Sequence, residues 1–225
     1  MTEKGIVAVV DDDDSTLRAL VRVLLAAGVE AHGFLSAEEF LQSPQVERTL
    51  CIVSDLWMPE INGLHLQRLM NVRKPHVQLV FLTGHADVSS SVRALKSGAI
   101  DFLEKPVHSV QLLEAVTQGL QRSRAALEKS IELDDLGTRY AALTIRERQV
   151  FALVSAGLLN KQIGAELGAA EKTIKQHRGV VMHKMRADSV ADLVLMAATL
   201  GVRPSRADFA KSKGIFRAGE SSSIS

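Results

Sequence analysis

The residues best suited to chemistry each follow a short apolar run in the first half of the chain. They are two adjacent carboxylates, Asp11 and Asp12, a third carboxylate, Asp55, a hydroxyl, Thr83, and an amine, Lys105. Carboxylates held close together repel one another and need a proton or a cation between them. A hard divalent ion held by carboxylates and water is typical of Mg²⁺ sites. A metal, a hydroxyl and an ammonium around a carboxylate would stabilise the charge of a phosphoryl group during transfer.

The apolar runs themselves predict the elements that position these residues. Continuous apolar runs at Ile6–Val10, 51–53, 79–82 and 102–103 are typical of buried strands, and a weaker strand is expected near 30–34. Helical spacing of leucines lies between the runs. Buried strands that alternate with helices favour a doubly wound α/β fold with a five-stranded parallel sheet. Ligands bind such sheets at the carboxyl ends of the strands, where the polar residues fall.

Each polar residue also has an ordinary explanation when it is taken alone. Asp11 to Asp14 could simply be the acidic N-terminus of a helix, which Asp13, Asp14 or Ser15 would cap. Lys105 before a proline could lie in a strand-to-helix turn, and Thr83 before a glycine could lie in a loop. The position of all these polar groups at successive strand ends favours a functional site over these separate explanations.

The first half contains five short motifs: Val-Val-Asp11-Asp12, Asp55-Leu-Trp-Met-Pro59, Asn62-Gly63, Leu82-Thr83-Gly84 and Lys105-Pro106. Over about residues 4–120 they resemble the receiver domain of two-component response regulators, which has a flavodoxin-like fold. The resemblance implies that Asp55 accepts a phosphoryl group from a cognate sensor histidine kinase. It also implies that Asp11 and Asp12 hold Mg²⁺ together with Asp55 and the backbone carbonyl of Trp57.

Three further roles follow from the same resemblance. Thr83 and Lys105 would contact the phosphoryl oxygens, and Phe102 would be an aromatic side chain that swings inward when the hydroxyl moves. Phe102 could equally be a plain core residue. At most slow autodephosphorylation is expected, so the chain is interpreted as a phosphoacceptor and not as an enzyme.

The second half of the chain is basic, although the whole chain carries a net charge of only +1. Residues 121–225 hold 17 Lys and Arg against 11 Asp and Glu, whereas residues 1–120 hold 10 against 15. The basic half is therefore the one expected to contact nucleic acid.

Two short helices are predicted within this basic half, the first at 158–167, ending at Gly168, and the second at 171–185. Ile174, Val181 and Met185 would face inward on the second helix. A basic helix of this length fits the major groove of DNA, although a solvated basic face is the simpler alternative. The candidate DNA-binding residues are Lys172, Thr173, Lys175, Gln176, His177, Arg178 and Lys184.

This half also carries four motifs: Leu143-Thr-Ile-Arg-Glu147, Gly157-Leu-Leu-Asn-Lys161, Thr173-Ile-Lys-Gln-His177 and Lys184-Met185. They resemble the LuxR-type helix-turn-helix domain, and its pairing with a receiver resembles the FixJ/NarL family of transcription regulators. The resemblance implies promoter DNA and RNA polymerase as partners and a homodimer that forms on phosphorylation. Gly179 departs from the longer polar residue of some relatives, which puts base contact at that turn in doubt.

The domain organisation predicted from these patterns has four parts. They are a receiver domain at 1–120, a linker helix at 121–142, a helix-turn-helix domain at 143–203 and a flexible tail at 204–225. Thr144 and Glu147 fit a capping box that opens the third part. The linker could continue the last receiver helix as a stalk or form a short coiled coil, or it could be a plain solvated helix.

Composition and single residues narrow the class of protein. No apolar run is long enough to span a bilayer and the N-terminus lacks a signal-peptide pattern, so a cytoplasmic protein without a membrane partner is expected. Cys51 is the only cysteine and is expected to be a buried core residue, although a redox role is conceivable.

A phosphohydrolase would need a second Asp two residues after Asp55, where Trp57 stands. A receiver that serves as a phosphorylation-independent dimer scaffold is the remaining alternative.

Overall fold

A computed structural model describes residues 5–84 and 101–202, and the chain divides into two compact units between Lys129 and Ser130. The described strands of the first unit are β1 (Ile6–Val10), β2 (Ala31–Phe34), β3 (Thr49–Asp55), β4 (Gln78–Thr83) and β5 (Asp101–Glu104). They form one parallel sheet in the order β2-β1-β3-β4-β5. The predicted doubly wound α/β fold is confirmed.

Helices cover both faces of this sheet. They are α1 (Asp14–Ala26), α2 (Ala37–Gln42), a short 3₁₀ helix (Pro44–Arg48), α3 (Gly63–Arg73) and the first part of α4 (Ser109–Ala141). Alternate residues of the buried strands belong to two separate apolar clusters, one on each face. The long apolar runs in β1 and β3 therefore reflect burial on both sides of the sheet.

The loop after β1 turns directly into α1 because Asp13 caps the helix. Its carboxylate accepts hydrogen bonds from the backbone N–H of Ser15 at 2.8 Å and from the hydroxyl of Thr16 at 3.0 Å. Of the three capping candidates, Asp13 therefore has this role, while Asp11 and Asp12 remain at the end of the strand.

The described residues of the second unit form helices joined by short turns, without a strand. The unit contains the end of α4, followed by α5 (Ile145–Ser155), α6 (Asn160–Leu167), α7 (Glu171–Met185) and α8 (Val190–Thr199). The predicted capping box is confirmed, since Thr144 and Glu147 each accept a hydrogen bond from the other's backbone N–H. These helices enclose a single apolar cluster.

One helix boundary differs from the prediction. The first helix of the pair was expected to begin at Leu158, whereas α6 begins at Asn160. Gly157 has φ +85°, which turns the chain after α5, and Leu159 has extended backbone angles as the residue before the helix. Apolar periodicity continues through this turn, so it could not mark the boundary.

The predicted linker forms part of an uninterrupted helix, because α4 runs from Ser109 to Ala141 through Gly137. Residue 203 and the predicted tail, 204–225, lie outside the described residues. Within the part of the chain that the structure describes, no helix is long and apolar enough to cross a membrane.

Candidate functional site

The polar residues singled out in the first half meet at one edge of the sheet. Asp11 follows β1, Asp55 ends β3, Thr83 ends β4 and Lys105 follows β5. The strands are parallel and in register, with Val10 beside Ser54. Their carboxyl ends therefore bring together residues that are far apart in the sequence.

Three carboxylates form a compact cluster at this edge. One ligand oxygen from each of Asp11, Asp12 and Asp55 can be chosen so that all three lie within 4.8 Å of one another. Asp11 is fully buried and Asp55 is nearly so, whereas Asp12 is exposed. Oxygen donors at this spacing, open to solvent on one side, fit a hard divalent cation such as Mg²⁺ that keeps part of its water shell.

Lys105 lies between two of these carboxylates. Its Nζ atom is 2.6 Å from Oδ2 of Asp55 and 2.7 Å from Oδ2 of Asp11. Burial alone would lower the pKa of Lys105, but the hydrogen bonds to Asp11 and Asp55 outweigh it and raise the pKa. Burial raises the pKa of Asp11, and the contact with Lys105 only partly offsets that rise. The ammonium thus neutralises part of the charge in the cluster.

The backbone N–H of Trp57 and the close packing of Gly63 constrain the position of Asp55. The N–H of Trp57 donates to Oδ1 of Asp55 at 3.1 Å, which leaves Oδ2 to Lys105. Gly63 packs so closely that a Cβ atom there would lie 2.5 Å from the carbonyl oxygen of Asp55 and 2.8 Å from the ring of Phe81. The Asn62-Gly63 motif therefore has a steric reason, because a larger residue would displace the backbone of Asp55.

Two further residues predicted to respond to a phosphoryl group, Thr83 and Phe102, lie on the neighbouring strands β4 and β5. Thr83 is buried, and its carbonyl oxygen accepts a hydrogen bond from the N–H of Lys105 at 2.8 Å. Phe102 is half-buried, with its ring centroid 5.3 Å from that of Phe81. Thr83 and Lys105 are thus linked through the backbones of the neighbouring strands β4 and β5.

Cys51 lies apart from this site, in the interior of β3. It is fully buried, and burial raises the pKa of its thiol to about 12. A thiol that stays protonated is a poor nucleophile, so the geometry supports the core interpretation over redox sensing.

In the second unit, α7 presents the predicted basic surface. Ile174, Val181 and Met185 are buried, as predicted, so the opposite side of the helix faces solvent. His177 and Arg178 are half-buried, and Nη1 of Arg178 donates to Oδ1 of Asn160 at 3.2 Å. The exposed polar candidates are Lys172, Thr173, Lys175 and Gln176, all in the first two turns.

Lys184, the last candidate, has partners within its own unit. Its Nζ atom lies 2.7 Å from Oε2 of Glu147, the capping-box carboxylate, and 3.3 Å from the carbonyl oxygen of Ala142. The contacts that sequence reasoning missed include this ion pair and a bond from Arg139 to the carbonyl of Met185. Neither has a local sequence signal, because each joins residues that are 37 or more positions apart.

Comparisons with known proteins agree with this arrangement. Residues 7–117 match the response regulator receiver domain, and residues 141–197 match the bacterial regulatory proteins of the luxR family. Nodulation protein W of Bradyrhizobium diazoefficiens is 44% identical over 199 residues, which cover 88% of each chain. The transcriptional regulatory protein FixJ of Azorhizobium caulinodans is 39% identical over 204 residues, covering 91% of this chain and 97% of its own.

A solved structure extends the likeness to the fold. The response regulator StyR superposes with a TM-score of 0.78 at 40% identity, covering 87% of this chain and 98% of its own. The chain belongs to the response regulators that join a receiver domain to a LuxR-type DNA-binding domain. Among these proteins it is a FixJ-like transcription regulator.

Proposed function

We propose that Asp55 is the phosphoacceptor of this regulator and receives its phosphoryl group from a cognate sensor histidine kinase. The observation that carries the proposal is the contact of Oδ2 of Asp55 with Lys105 inside a cluster of three carboxylates. Asp55 ends the central strand, and its Oδ1 atom accepts a hydrogen bond from the backbone N–H of Trp57. A fixed carboxylate beside a cation can receive a phosphoryl group without reorganising its surroundings.

The carboxylates of Asp11, Asp12 and Asp55 would hold Mg²⁺, with the backbone carbonyl of Trp57 as a further oxygen ligand. Mg²⁺, when bound, supplies positive charge against the oxygens of the phosphoryl group. Asp11 and Asp12 serve this role because the end of β1 places both beside Asp55.

The remaining residues would respond to the phosphoryl group. Lys105 transfers its contact from the Asp55 carboxylate to a phosphoryl oxygen, and the hydroxyl of Thr83 turns towards another. Phe102, which packs on Phe81 in the next strand, then moves inward and changes the surface around β4 and β5. That surface favours a homodimer. Hydrolysis of the phosphoryl group by the protein alone is expected to be slow at most.

The dimer places two copies of α7 on promoter DNA. Successive major grooves on one side of the duplex lie about one helical turn apart, which sets the spacing of the half-sites. Lys175 and Gln176 reach base edges from the start of the helix, with Lys172, Thr173, His177 and Arg178 on the phosphates or beside them. Bound at a promoter, the dimer acts on RNA polymerase to regulate transcription.

Treatment of the full chain with Mg²⁺ and acetyl phosphate tests this proposal against the Asp55→Asn variant. The expected result is a phosphoryl adduct by intact mass on the wild type alone. That adduct should be accompanied by a dimer in sedimentation and tighter, salt-sensitive binding to DNA. An adduct on Asp55→Asn would place the phosphoacceptor elsewhere. If DNA binding and dimerisation are the same with and without the adduct, the receiver would instead be a phosphorylation-independent dimer scaffold.

A further inference from the structure

The C-terminal end of α7, the recognition helix, is bonded to a residue from another helix. The last carbonyls of a helix lack partners within it. The backbone N–H groups of Arg186 and Ala187 return to two earlier carbonyls of α7, and Arg186 adopts the left-handed conformation with φ +55°. The carbonyl of Met185 instead accepts a hydrogen bond from Arg139, at the end of α4.

The guanidinium of Arg139 is itself held in place. Its Nη1 atom lies 2.7 Å from the carbonyl oxygen of Met185, and its Nη2 atom lies 2.8 Å from Oδ2 of Asp135, one turn earlier in α4. Only 20% of its side chain is exposed. A positive charge at a helix C-terminus is favourable, and a guanidinium fork can serve two acceptors at once.

A second cation reinforces the same junction. Lys184 joins the last turn of α7 to Glu147 in α5 and to the carbonyl of Ala142, directly after α4. Leu136 is buried in the apolar cluster of this unit, and the ring of Tyr140 packs edge-on against Phe151. The final turns of α4 are therefore part of the structure that supports α7.

The way in which α7 is held at its C-terminus also determines where the residues of its first turn lie. α7 has 15 residues and is therefore about 22 Å long, so a tilt of about 5° about its C-terminus moves its first turn by about 2 Å. Hydrogen bonds to base edges tolerate much smaller errors than that. Contacts between flexible lysines and phosphates tolerate it, because they depend mainly on charge.

We infer that Arg139 is a positioning residue for promoter recognition, which fixes the orientation of α7 from the end of the linker helix without touching DNA. Lys184 also helps to orient α7, through its ion pair with Glu147. Its ammonium therefore contacts the protein and not a DNA phosphate. The inference rests on the proposed binding of DNA by α7.

The experiment compares four variants of the full chain: Arg139→Met, Arg139→Lys, Arg124→Met and Lys175→Met. Arg124 is an exposed arginine of the same helix, so its replacement removes the same charge and serves as the matched control. The probes are a duplex selected from a randomised library by the wild-type chain and a scrambled duplex of equal length. Affinity is measured over a range of salt concentrations, with and without acetyl phosphate, and folding is followed by circular dichroism.

We expect Arg139→Met to lose about tenfold in affinity for the selected duplex, the effect of one charge-assisted hydrogen bond. Its affinity for the scrambled duplex and its salt dependence should stay those of the wild type. Arg139→Lys should recover part of the loss, and Arg124→Met should lose nothing. Lys175→Met, which removes a proposed base contact, should lose affinity mainly for the selected duplex and so lower the selectivity between the two duplexes.

Three results would overturn the positioning role. One is wild-type affinity of Arg139→Met, and another is an equal loss on both duplexes with a shallower salt slope, which would mean a phosphate contact. The third is a loss no larger than the unfolded fraction, which would mean stability alone. If Arg139→Met fails to fold, the selectivity of Arg139→Lys between the duplexes decides in its place. An unchanged Lys175→Met would instead count against α7 as the DNA-binding surface.

Discussion

The ammonium of Lys105 lies 2.6 Å from Asp55 and 2.7 Å from Asp11, and so it shares the space between two carboxylates that Mg²⁺ would also contact. Its side chain is 23% exposed, so this charge is only partly screened by water. Lys105 would thus compete with a bound metal for the charge of the cluster. That competition has a measurable consequence.

Replacement of Lys105 by Met should make the cluster bind Mg²⁺ more tightly. The variant keeps the carboxylates but removes the positive charge that contacts two of them, which should raise the affinity by roughly tenfold. Trp57 is the only tryptophan, and its backbone N–H donates a hydrogen bond to Asp55. Its fluorescence can therefore follow the Mg²⁺ titration. Asp12→Asn, which removes one exposed ligand, should weaken binding. Unchanged affinity in Lys105→Met would contradict the competition.

The pair of Glu147 and Lys184 should make the stability of the second unit depend on pH. The hydrogen bonds from Lys184 and from the backbone of Thr144 hold the pKa of Glu147 below its ordinary value of 4.5. A lowered pKa means that the stabilisation is complete above that value and is lost as the pH falls through the folded-state pKa. Glu147→Gln can still cap α5 but cannot form the ion pair.

At pH 7 we expect Glu147→Gln to be less stable than the wild type by about 1 kcal/mol, because the Lys184 side chain in the ion pair is 33% exposed to water. The gap should close as the pH falls below 4.5, and urea unfolding at several pH values measures it. Glu132→Gln, at an exposed position of α4, is the control and should show no gap. A gap that persists at low pH would assign the effect to the cap alone.

The edge of the sheet that carries the acidic site was predictable because each strand is an apolar run that stops at a polar residue. Parallel pairing then places Asp11 beside Asp55 without further information. The reach of Lys105 to Asp11 was not predictable in this way, since it depends on how far a flexible side chain extends across two strands.

The second unit shows the limits of local patterns more clearly. The capping box of Thr144 and Glu147 is visible in four consecutive residues, and it was predicted. The bond from Arg139 to Met185 joins residues 46 positions apart, and its cause is the packing of Leu136 into the unit's core. Periodicity indicated a helix around Arg139 but not the element on which that helix packs.

Replacement of Leu136 by Ala should destabilise the helices of the second unit. Leu136 is 7% exposed, and loss of a buried leucine costs about 2 to 5 kcal/mol. Ile131 on the same helix is 59% exposed, so Ile131→Ala should change stability by about 0.5 kcal/mol or less. Hydrogen exchange of the backbone amides in α5 and α7 measures the loss of stability in both variants. Equal protection in the two variants would show that the end of α4 does not support this core.

Two glycines should respond in opposite ways to replacement by alanine. At Gly63 the new methyl group would lie 2.5 Å from the carbonyl oxygen of Asp55, so the backbone must shift at a cost of about 1 to 3 kcal/mol. That shift should also weaken Mg²⁺ binding reported by Trp57. Gly137 lies within α4 with no atom near a new Cβ, so Gly137→Ala should stabilise the protein by about 1 kcal/mol.

Urea unfolding and a Mg²⁺ titration of each glycine variant separate the two effects. Gly137→Ala should bind Mg²⁺ as the wild type does, because its methyl group lies on the linker helix and not at the strand ends. If Gly63→Ala also kept wild-type stability and affinity, the close packing of Gly63 on Asp55 would not be what fixes the carboxylate. The N–H of Trp57 would then be the main constraint on its position.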